Sequence, residues 1–479
     1  MTALSLLSTE IGLIFLSLGS LVLDLFIKDD ERRGKTLANI AMSGVLFLIL
    51  QLSFQWGKSG SLFKGSFVQD GVAVFFKLIF LLAGFFVLFM AREYQKNLTR
   101  GHGEFILLIL FSLVGLSFLA SANDFLLFFV SLEILTLSLY IMTSYLRDSA
   151  SSIEAGVKYL ILGALSTAIF LYGLSFIYGS TGSTSYAVIA QKFKNISPLP
   201  APFLFGMLLV ISSLGFKIAA VPFQLWAPDI YEGAPTPVTA YLAIGSKAAG
   251  FAGLVRLMLT IFAPVQNHLT VLFAVLSALT LFYGNLGAIP QTNIKRLMGY
   301  SSIGHAGYLL MGLVAFHVSG NEALLYYLLS YLFGTGGVFL VLSALSGQMK
   351  TYEINELAGL SEKSPILAAG MLISLLSLAG VPPLAGFFAK FYLLLATVKS
   401  GFFWLAVIGA LNVITSLYYY LKIIKVIYID KPTHQIPYNI SFDQKAMQYF
   451  SIFALLFLGI YQGPFVQLAK LAFSNFSNS

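Results

Sequence analysis

Long apolar runs separated by short polar segments dominate the chain. A helix needs about 20 mainly apolar residues to cross the hydrocarbon core of a bilayer. The runs at 201–230 and 365–397 are too long for one straight crossing, and prolines interrupt both, at Pro222 and at Pro382 and Pro383. The pattern therefore predicts an all-α polytopic membrane protein with about fourteen transmembrane helices, two of them broken by proline. The predicted segments are 3–27, 37–55, 70–90, 104–121, 124–145, 153–179, 201–230, 236–263, 270–290, 298–316, 322–347, 365–397, 402–427 and 446–472.

The composition agrees with a membrane protein and excludes several kinds of chemical site within this chain. Of the 479 residues, 58% are hydrophobic and only 10% are charged, whereas soluble proteins carry about 25% charged residues. The absence of cysteine excludes disulfides, thiolate zinc sites, iron–sulfur ligation and cysteine nucleophiles within this chain. Because Met1 to Leu4 carry no basic residue, the first run is predicted to be a retained helix and not a cleaved signal peptide.

The net charge of +8 is spread over loops between apolar runs, which favours basic cytoplasmic loops over nucleic-acid binding. With the predicted loops numbered in order, sixteen Lys and Arg lie in or beside the odd loops, and six lie in the even loops and termini. The positive-inside rule then places the odd loops in the cytoplasm. Both termini are expected on the non-cytoplasmic side of the bilayer.

The chain repeats a short pattern. Residues Glu154 to Leu160 are echoed 168 residues later by Glu322 to Leu328, and in each case the next helix is broken by proline. The interval covers five predicted helices, an odd number, so the second unit must be inverted in the membrane, as in many transporters. The expected organisation is a single membrane domain, 1–479, divided into 1–103 (three helices), 104–263 (first repeat), 270–427 (second, inverted repeat) and 446–472 (C-terminal helix).

Four ionisable residues lie deep inside predicted helices: Glu133, Lys217, Lys247 and Lys390. Such a residue at a helix centre costs about 2.5–3.5 kcal/mol on insertion scales, so it usually faces a polar interior and has a function there. Lys217 lies one turn before Pro222, where freed carbonyls indicate an internal aqueous path. Structural pairing stays open for Glu133, Lys217 and Lys247, and snorkelling to the interface stays open for Lys390.

For the other ionisable residues inside predicted helices, the neighbouring residues do not decide between a structural and a proton-transferring role. Lys158 lies four residues after Glu154, so a local ion pair explains it as well as a proton relay does. His305 could relay protons near neutral pH or be a hydrogen-bonded core residue, and Lys77 and Arg256 are predicted to be structural charges. These groups suggest that Lys217, Lys247 and Lys390 pass a proton along in turn. Since no nucleotide-binding, haem or HExxH motif is present, partners must supply the driving reaction.

Two stretches connect the chain to a known family. Residues 226–240 (WAPDIYEGAPTPVTA) closely resemble the stretch that marks subunit N of the proton-pumping NADH:quinone oxidoreductase, respiratory complex I. Residues 293–308 (NIKRLMGYSSIGHAGY) are similar to a second stretch, shared more widely with Mrp-type sodium/proton antiporter subunits. The resemblance extends from about residue 5 to residue 470.

The resemblance implies an antiporter-like subunit of fourteen helices with two inverted five-helix repeats, in a bacterial plasma membrane. Its partners would be the other membrane-arm subunits and, through them, a redox arm that holds FMN, iron–sulfur clusters and quinone; no cofactor or metal is expected in this chain. The family's relay residues fall on Glu133, Lys217, Lys247, Lys390 and Lys158, with His305 as a further relay candidate. The alternatives are an Mrp-type cation/proton antiporter subunit, an N-type subunit of a ferredoxin-driven quinone reductase, and a non-transporting scaffold.

Overall fold

The computed structural model describes residues 3–194, 196, 199–263, 266–349, 351–431 and 440–474. Within these ranges, ten helices are long and apolar enough to cross a membrane. One of the ten, Thr236–Leu259, consists of α11 (Thr236–Tyr241), a π-helical turn (Leu242–Ser246) and α12 (Lys247–Leu259). The others are α2 (Ser8–Phe26), α3 (Asp30–Ser53), α4 (Gly71–Tyr94), α5 (His102–Ser121), α6 (Phe125–Thr143), α7 (Ala150–Thr181), α13 (Gln266–Ala288), α15 (Gly320–Leu345) and α19 (Phe403–Tyr428).

The remaining predicted segments are helical but depart from single straight spans. The two proline-broken segments form α9 (Ala201–Lys217) with α10 (Trp226–Gly233), and α17 (Pro365–Ala379) with α18 (Ala385–Lys399). Lys295, Arg296 and several serines and glycines make α14 (Ile294–Val314) less apolar than the ten. The all-helical membrane class is confirmed. Among the described residues, ten helices qualify as spans by length and composition, or eleven if the last bent pair of helices counts as one span.

The last predicted segment, 446–472, is wrong as a single helix. The structure divides it into α20 (Phe442–Ile460) and α21 (Gln462–Ala472), which meet at an angle of 80°. Pro464 lies in the first turn of α21, where its missing N–H is tolerated, whereas a continuous helix would lose a hydrogen bond at that position.

Short elements lie between the long helices. A hairpin pairs β1 (Gly60–Leu62) antiparallel with β2 (Phe67–Gln69) in the loop before α4. Three further short α-helices are α1 (Ala3–Leu6), α8 (Tyr186–Phe193) and α16 (Leu360–Lys363). The described residues also form four 3-10 helical turns, Phe63–Gly65, Gln95–Asn97, Phe316–Val318 and Ile354–Leu357.

The most buried helices form the centre of the bundle. All of the most apolar part of α15 is buried, as are most of α4 and of Thr236–Leu259, whereas only about a third of α2, α7 and α19 is buried. The outer helices present large apolar side chains outward, among them Phe47, Leu165 and Ile414. This is the arrangement expected when lipid or membrane-embedded protein surrounds the bundle.

Candidate functional site

The first broken helix places a lysine beside irregular backbone. Between the end of α9 at Lys217 and the start of α10 at Trp226, Ala219 adopts a left-handed conformation with φ of 57°, which costs a non-glycine residue energy and often marks a functional site. The indole Nε1 of Trp226 donates to the carbonyl of Phe216 at 2.9 Å. A side chain thus satisfies a carbonyl released near the break, and the polar backbone is retained inside the protein.

Lys217 and Glu133 approach each other without forming an ion pair in the described part of the chain. Lys217 is buried and donates to Thr136 Oγ1 at 3.0 Å, and Thr136 lies three residues after Glu133 on α6. Glu133 is half-buried and accepts a hydrogen bond from Thr167 of α7 at 2.9 Å. The Glu133 carboxylate is the one charged group that acts electrostatically on the Lys217 amine among the described residues.

The π-helical turn Leu242–Ser246 ends immediately before Lys247. Such turns are rare and often lie at functional sites. Lys247 is buried and donates to the main-chain carbonyl of Ser302 on α14. One turn later, Gly250 lies against the Lys217 segment: a Cβ built there would be 3.3 Å from Lys217 Cβ and 2.5 Å from Ile218 Cγ2. Small residues therefore bring the backbones that carry the two lysines close together.

Lys390 points back into the second break. Pro382 and Pro383 lie in the turn between α17 and α18, and Lys390 is only 3% exposed. Its Nζ donates to the carbonyl of Ala379, the last residue of α17, at 3.0 Å. It also donates to Ser416 Oγ on α19 at 3.4 Å. The lysine is bound at the break, and its side chain does not extend to the interface.

His305 lies between the second and third lysines. It interacts electrostatically with both Lys247 and Lys390. Its Nδ1 is hydrogen-bonded to the hydroxyl of Tyr327 at 2.6 Å and its Nε2 to that of Tyr420 at 3.2 Å. A cavity of about 10 Å³ lies between His305 and Lys390 and is lined by both.

Lys158 lies apart from this buried series. Its side chain is 43% exposed and forms ion pairs with Glu154 at 2.7 Å and Asp229 at 2.9 Å. Arg296 also binds Asp229, at 2.7 Å, and contacts Glu232 at 3.0 Å. The two sequence stretches that carry the family resemblance thus meet here, because Asp229 and Glu232 come from the first and Arg296 from the second. A cavity of about 230 Å³ opens beside these charges.

Lys77 and Arg256 have carboxylate partners. Lys77 lies 2.6 Å from Glu10, with both side chains 0% exposed, and Arg256 binds Asp70 at 2.5 Å. Among the described residues, Lys217, Lys247 and Lys390 form no ion pair, and no three His, Asp or Glu side chains could hold a metal ion together. The described buried lysines therefore divide into a paired class, Lys77, and an unpaired class. Besides the three lysines above, the unpaired class includes Lys295 in the first turn of α14, which donates to the carbonyls of Glu232 and Ala234.

Sequence reasoning missed the hydroxyl groups that contact the charged series. Thr136 had a usable signal, since its spacing of three residues from Glu133 puts both on one helix face. Thr167 and Tyr420 had none, because single hydroxyl residues in apolar helices usually bond to their own backbone or lie in the core. Tyr327 lies in the echoed segment, but the echo does not indicate which group its hydroxyl contacts.

Comparisons with known proteins show which family the chain belongs to. Residues 122–416 match the family described as NADH:quinone oxidoreductase/Mrp antiporter, transmembrane. NADH-quinone oxidoreductase subunit N of Desulforamulus reducens is 40% identical over 472 residues, which are 98% of each chain. The chain belongs to the subunit N family of NADH-quinone oxidoreductase.

Solved structures show the same fold. A chain of respiratory complex I from Thermus thermophilus superposes with a TM-score of 0.81 at 32% identity, covering 96% of this chain and 98% of that one. A chain of the Mrp complex from Dietzia superposes with a TM-score of 0.87 at 20% identity, covering 99% and 98%. The second likeness shows a shared fold alone, whereas the sequence relationship assigns the chain to the subunit N family.

Proposed function

We propose that this chain translocates protons across the membrane through a relay in which Lys217, Lys247, His305 and Lys390 follow one another and Glu133 controls the first step. It acts as the N-type, antiporter-like subunit of a complex I-type NADH:quinone oxidoreductase, and the redox chemistry takes place in other subunits. The observation that carries the proposal is the position of three of the described buried lysines that form no ion pair. Lys217, Lys247 and Lys390 lie at the two helix breaks and the π-helical turn, whereas Lys295, which also forms no ion pair, lies at the start of α14.

Unpaired lysines suit proton transfer. A buried lysine with a permanent carboxylate neighbour is held in its charged form, whereas burial without such a neighbour favours the neutral form. A lysine between these extremes can take up and release a proton as a carboxylate approaches or withdraws. Glu133 is placed to act on Lys217 in this way, because the two groups interact without direct contact.

Lys158 is assigned a different place in the relay. Its exposed ion pairs with Glu154 and Asp229 put it at the mouth of the path, where it would exchange protons with water. We assign no buried transfer step to it. The charged cavity beside it supports this placement.

The proposed topology follows from the same features. Both broken pairs, α14 and the bent pair α20–α21 would complete about fourteen crossings, arranged as two inverted five-helix repeats with both termini on the non-cytoplasmic side of a bacterial plasma membrane. The partners would be other membrane-arm subunits and, through them, a redox arm with FMN, iron–sulfur clusters and quinone. The electron donor is NADH, with ferredoxin as the alternative to be assayed.

The test begins with the assembly that co-purifies with a tagged copy of the chain in mild detergent. The assembly is reconstituted into liposomes, and protons translocated per quinone reduced are measured for Lys217→Met, Lys247→Met and Lys390→Met. Lys192→Met is the matched control, because Lys192 also donates to backbone carbonyls but is exposed.

The expected result is a large assembly in which the three relay variants lose proton translocation and the control does not. Full translocation by Lys217→Met in an assembled complex would refute the relay. Sodium-dependent proton exchange by an assembly without redox centres would instead support a cation/proton antiporter.

A further inference from the structure

The step between His305 and Lys390 involves a tyrosine that the relay does not yet include. Both residues are buried, but each is hydrogen-bonded to other groups: His305 to Tyr327 and Tyr420, and Lys390 to Ala379 and Ser416. Electrostatic interaction between them moves no proton by itself. A hydroxyl or a water molecule must connect them.

The small cavity between the two residues indicates which group makes the connection. Its volume of about 10 Å³ is close to the minimum that one water molecule needs. Besides His305 and Lys390, its wall includes the polar side chains of Tyr327, Tyr331, Ser330 and Ser377. Tyr420 does not line it. Tyr327 is therefore the one direct hydrogen-bond partner of His305, among those described, that also faces the space shared with Lys390.

We propose that Tyr327 is a further relay residue, whose hydroxyl hands the proton from His305 toward Lys390. This inference rests on the proposed relay function. In the step, a proton first enters at Nε2 of His305 from the Tyr420 side and makes the imidazole cationic. Nδ1–H then gives its proton to the Tyr327 oxygen while the hydroxyl's own proton crosses the cavity, through the one water molecule it can hold, to Nζ of Lys390, which accepts it as a neutral amine. The imidazole ends neutral, Lys390 ends charged, and Tyr327 is never ionised.

The geometry of the imidazole suits this exchange. In a neutral imidazole one nitrogen donates and the other accepts. Because a tyrosine hydroxyl can do either, Tyr327 at 2.6 Å and Tyr420 at 3.2 Å satisfy His305 in both of its neutral tautomers. The protein does not lock one tautomer, and a proton can enter at one nitrogen and leave at the other.

The repeat supplies an independent observation. Tyr327 belongs to the echoed segment, 168 residues after Tyr159 in the first copy. Tyr159 is also fully buried, and its ring centre lies 6.0 Å from Nζ of Lys217. In the second copy, Tyr327 lines the cavity that it shares with Lys390, while the ring nearest to Lys390 Nζ is that of Tyr308, at 4.8 Å. The same register thus places a buried tyrosine near the lysine of each broken helix, and only the second of these tyrosines has a histidine partner.

The experiment compares two adjacent buried tyrosines. Tyr327→Phe removes the hydroxyl that contacts His305, whereas Tyr326→Phe removes one that donates to the carbonyl of Leu458 at 2.8 Å, outside the relay. Each variant is made in the complete complex and checked for assembly by native mass. Protons translocated per quinone reduced are then measured in liposomes, with His305→Gln and Lys217→Met in parallel.

Tyr327→Phe is expected to fall to the level of His305→Gln, and Tyr326→Phe is expected to match the unmodified complex. If Lys217→Met is impaired but Tyr327→Phe translocates normally, the assignment of Tyr327 is overturned while the relay stands. If Lys217→Met translocates normally, the relay and this inference both fail.

If the Tyr327→Phe complex does not assemble, a second measurement tests whether Tyr327 transfers protons. Fluorotyrosine at position 327 keeps the hydroxyl and nearly the same shape but makes the hydroxyl more acidic. The pH profile of translocation should then shift relative to fluorotyrosine at position 326, which a purely structural role would not cause. Identical profiles at the two positions would overturn the proposal.

Discussion

Breaking the buried ion pair between Glu10 and Lys77 is predicted to destabilise the protein without changing proton translocation. The pair joins α2 to α4 at 2.6 Å, and neither side chain is exposed. Lys77 also donates to Gln69 Oε1 at 2.6 Å, and Ser117 donates to Glu10 at 2.8 Å. Lys77→Met leaves the Glu10 carboxylate in this enclosed site without its cation.

The magnitude follows from complete burial. Removing one partner of a buried ion pair costs about 3–5 kcal/mol, because the remaining charge is uncompensated. At about 1.4 kcal/mol for each factor of ten, the ratio of folded to unfolded N-terminal helices should fall by about two to almost four orders of magnitude. The double variant Glu10→Gln with Lys77→Met removes both charges, and since apolar or neutral replacement of a whole pair is often nearly neutral, it should recover most of the loss.

The assay is the thermal midpoint of the intact complex in detergent, with proton translocation measured at a temperature where each variant is still assembled. Lys77→Met should lower the midpoint clearly, the double variant should restore it, and all assembled samples should translocate protons. A Lys77→Met complex that is as stable as the unmodified one but fails to translocate would refute the reasoning. Lys77 would then belong to the relay, and pairing would not separate structural from functional lysines.

Two glycine substitutions test the close approaches at the relay. Gly250→Ala places a Cβ 2.5 Å from Ile218, and overpacking of this kind costs about 1–3 kcal/mol. Thermal midpoints should therefore fall for Gly250→Ala and not for Gly179→Ala, where the site is open; equal midpoints would contradict the packing. Gly380→Ala combines a φ of 91° with a Cβ 3.0 Å from Lys390 Cδ, so translocation should drop in an assembled complex. Unchanged translocation would show that Lys390 tolerates displacement.

Much of the fold could be predicted from hydrophobic periodicity, and the exceptions have physical causes. A run of about 20 apolar residues has few alternatives to a spanning helix, because unpaired backbone is too costly in lipid. The bend at Tyr461 was missed because its apolar run continues through it, although Pro464 was a readable signal. The π-helical turn before Lys247 carries no signal in its residues, since Leu242 to Ser246 would also suit an α-helix.

The candidate site was predictable only as a set of residues. The cost of burying charge identifies Glu133, Lys217, Lys247 and Lys390 from position alone. The identity of their partners depends on helices distant in sequence: Thr136 lies 81 residues from Lys217. Neither periodicity nor spacing in one chain reports which helices pack together, so hydroxyl partners become visible only in the folded bundle.

The difference between paired and unpaired lysines explains why such similar residues in the same bundle can have opposite roles. Arg256 and Asp70 are separated by 186 residues yet form a closed pair, and Lys77 has Glu10. In each pair, mutual attraction offsets part of the cost of burial, so we expect these charges to hold helices together and not to carry protons. Lys217, Lys247 and Lys390 have hydroxyls and carbonyls instead. Such groups can accept hydrogen bonds from a charged or a neutral amine, and this tolerance of both protonation states is what a site that loads and releases protons requires.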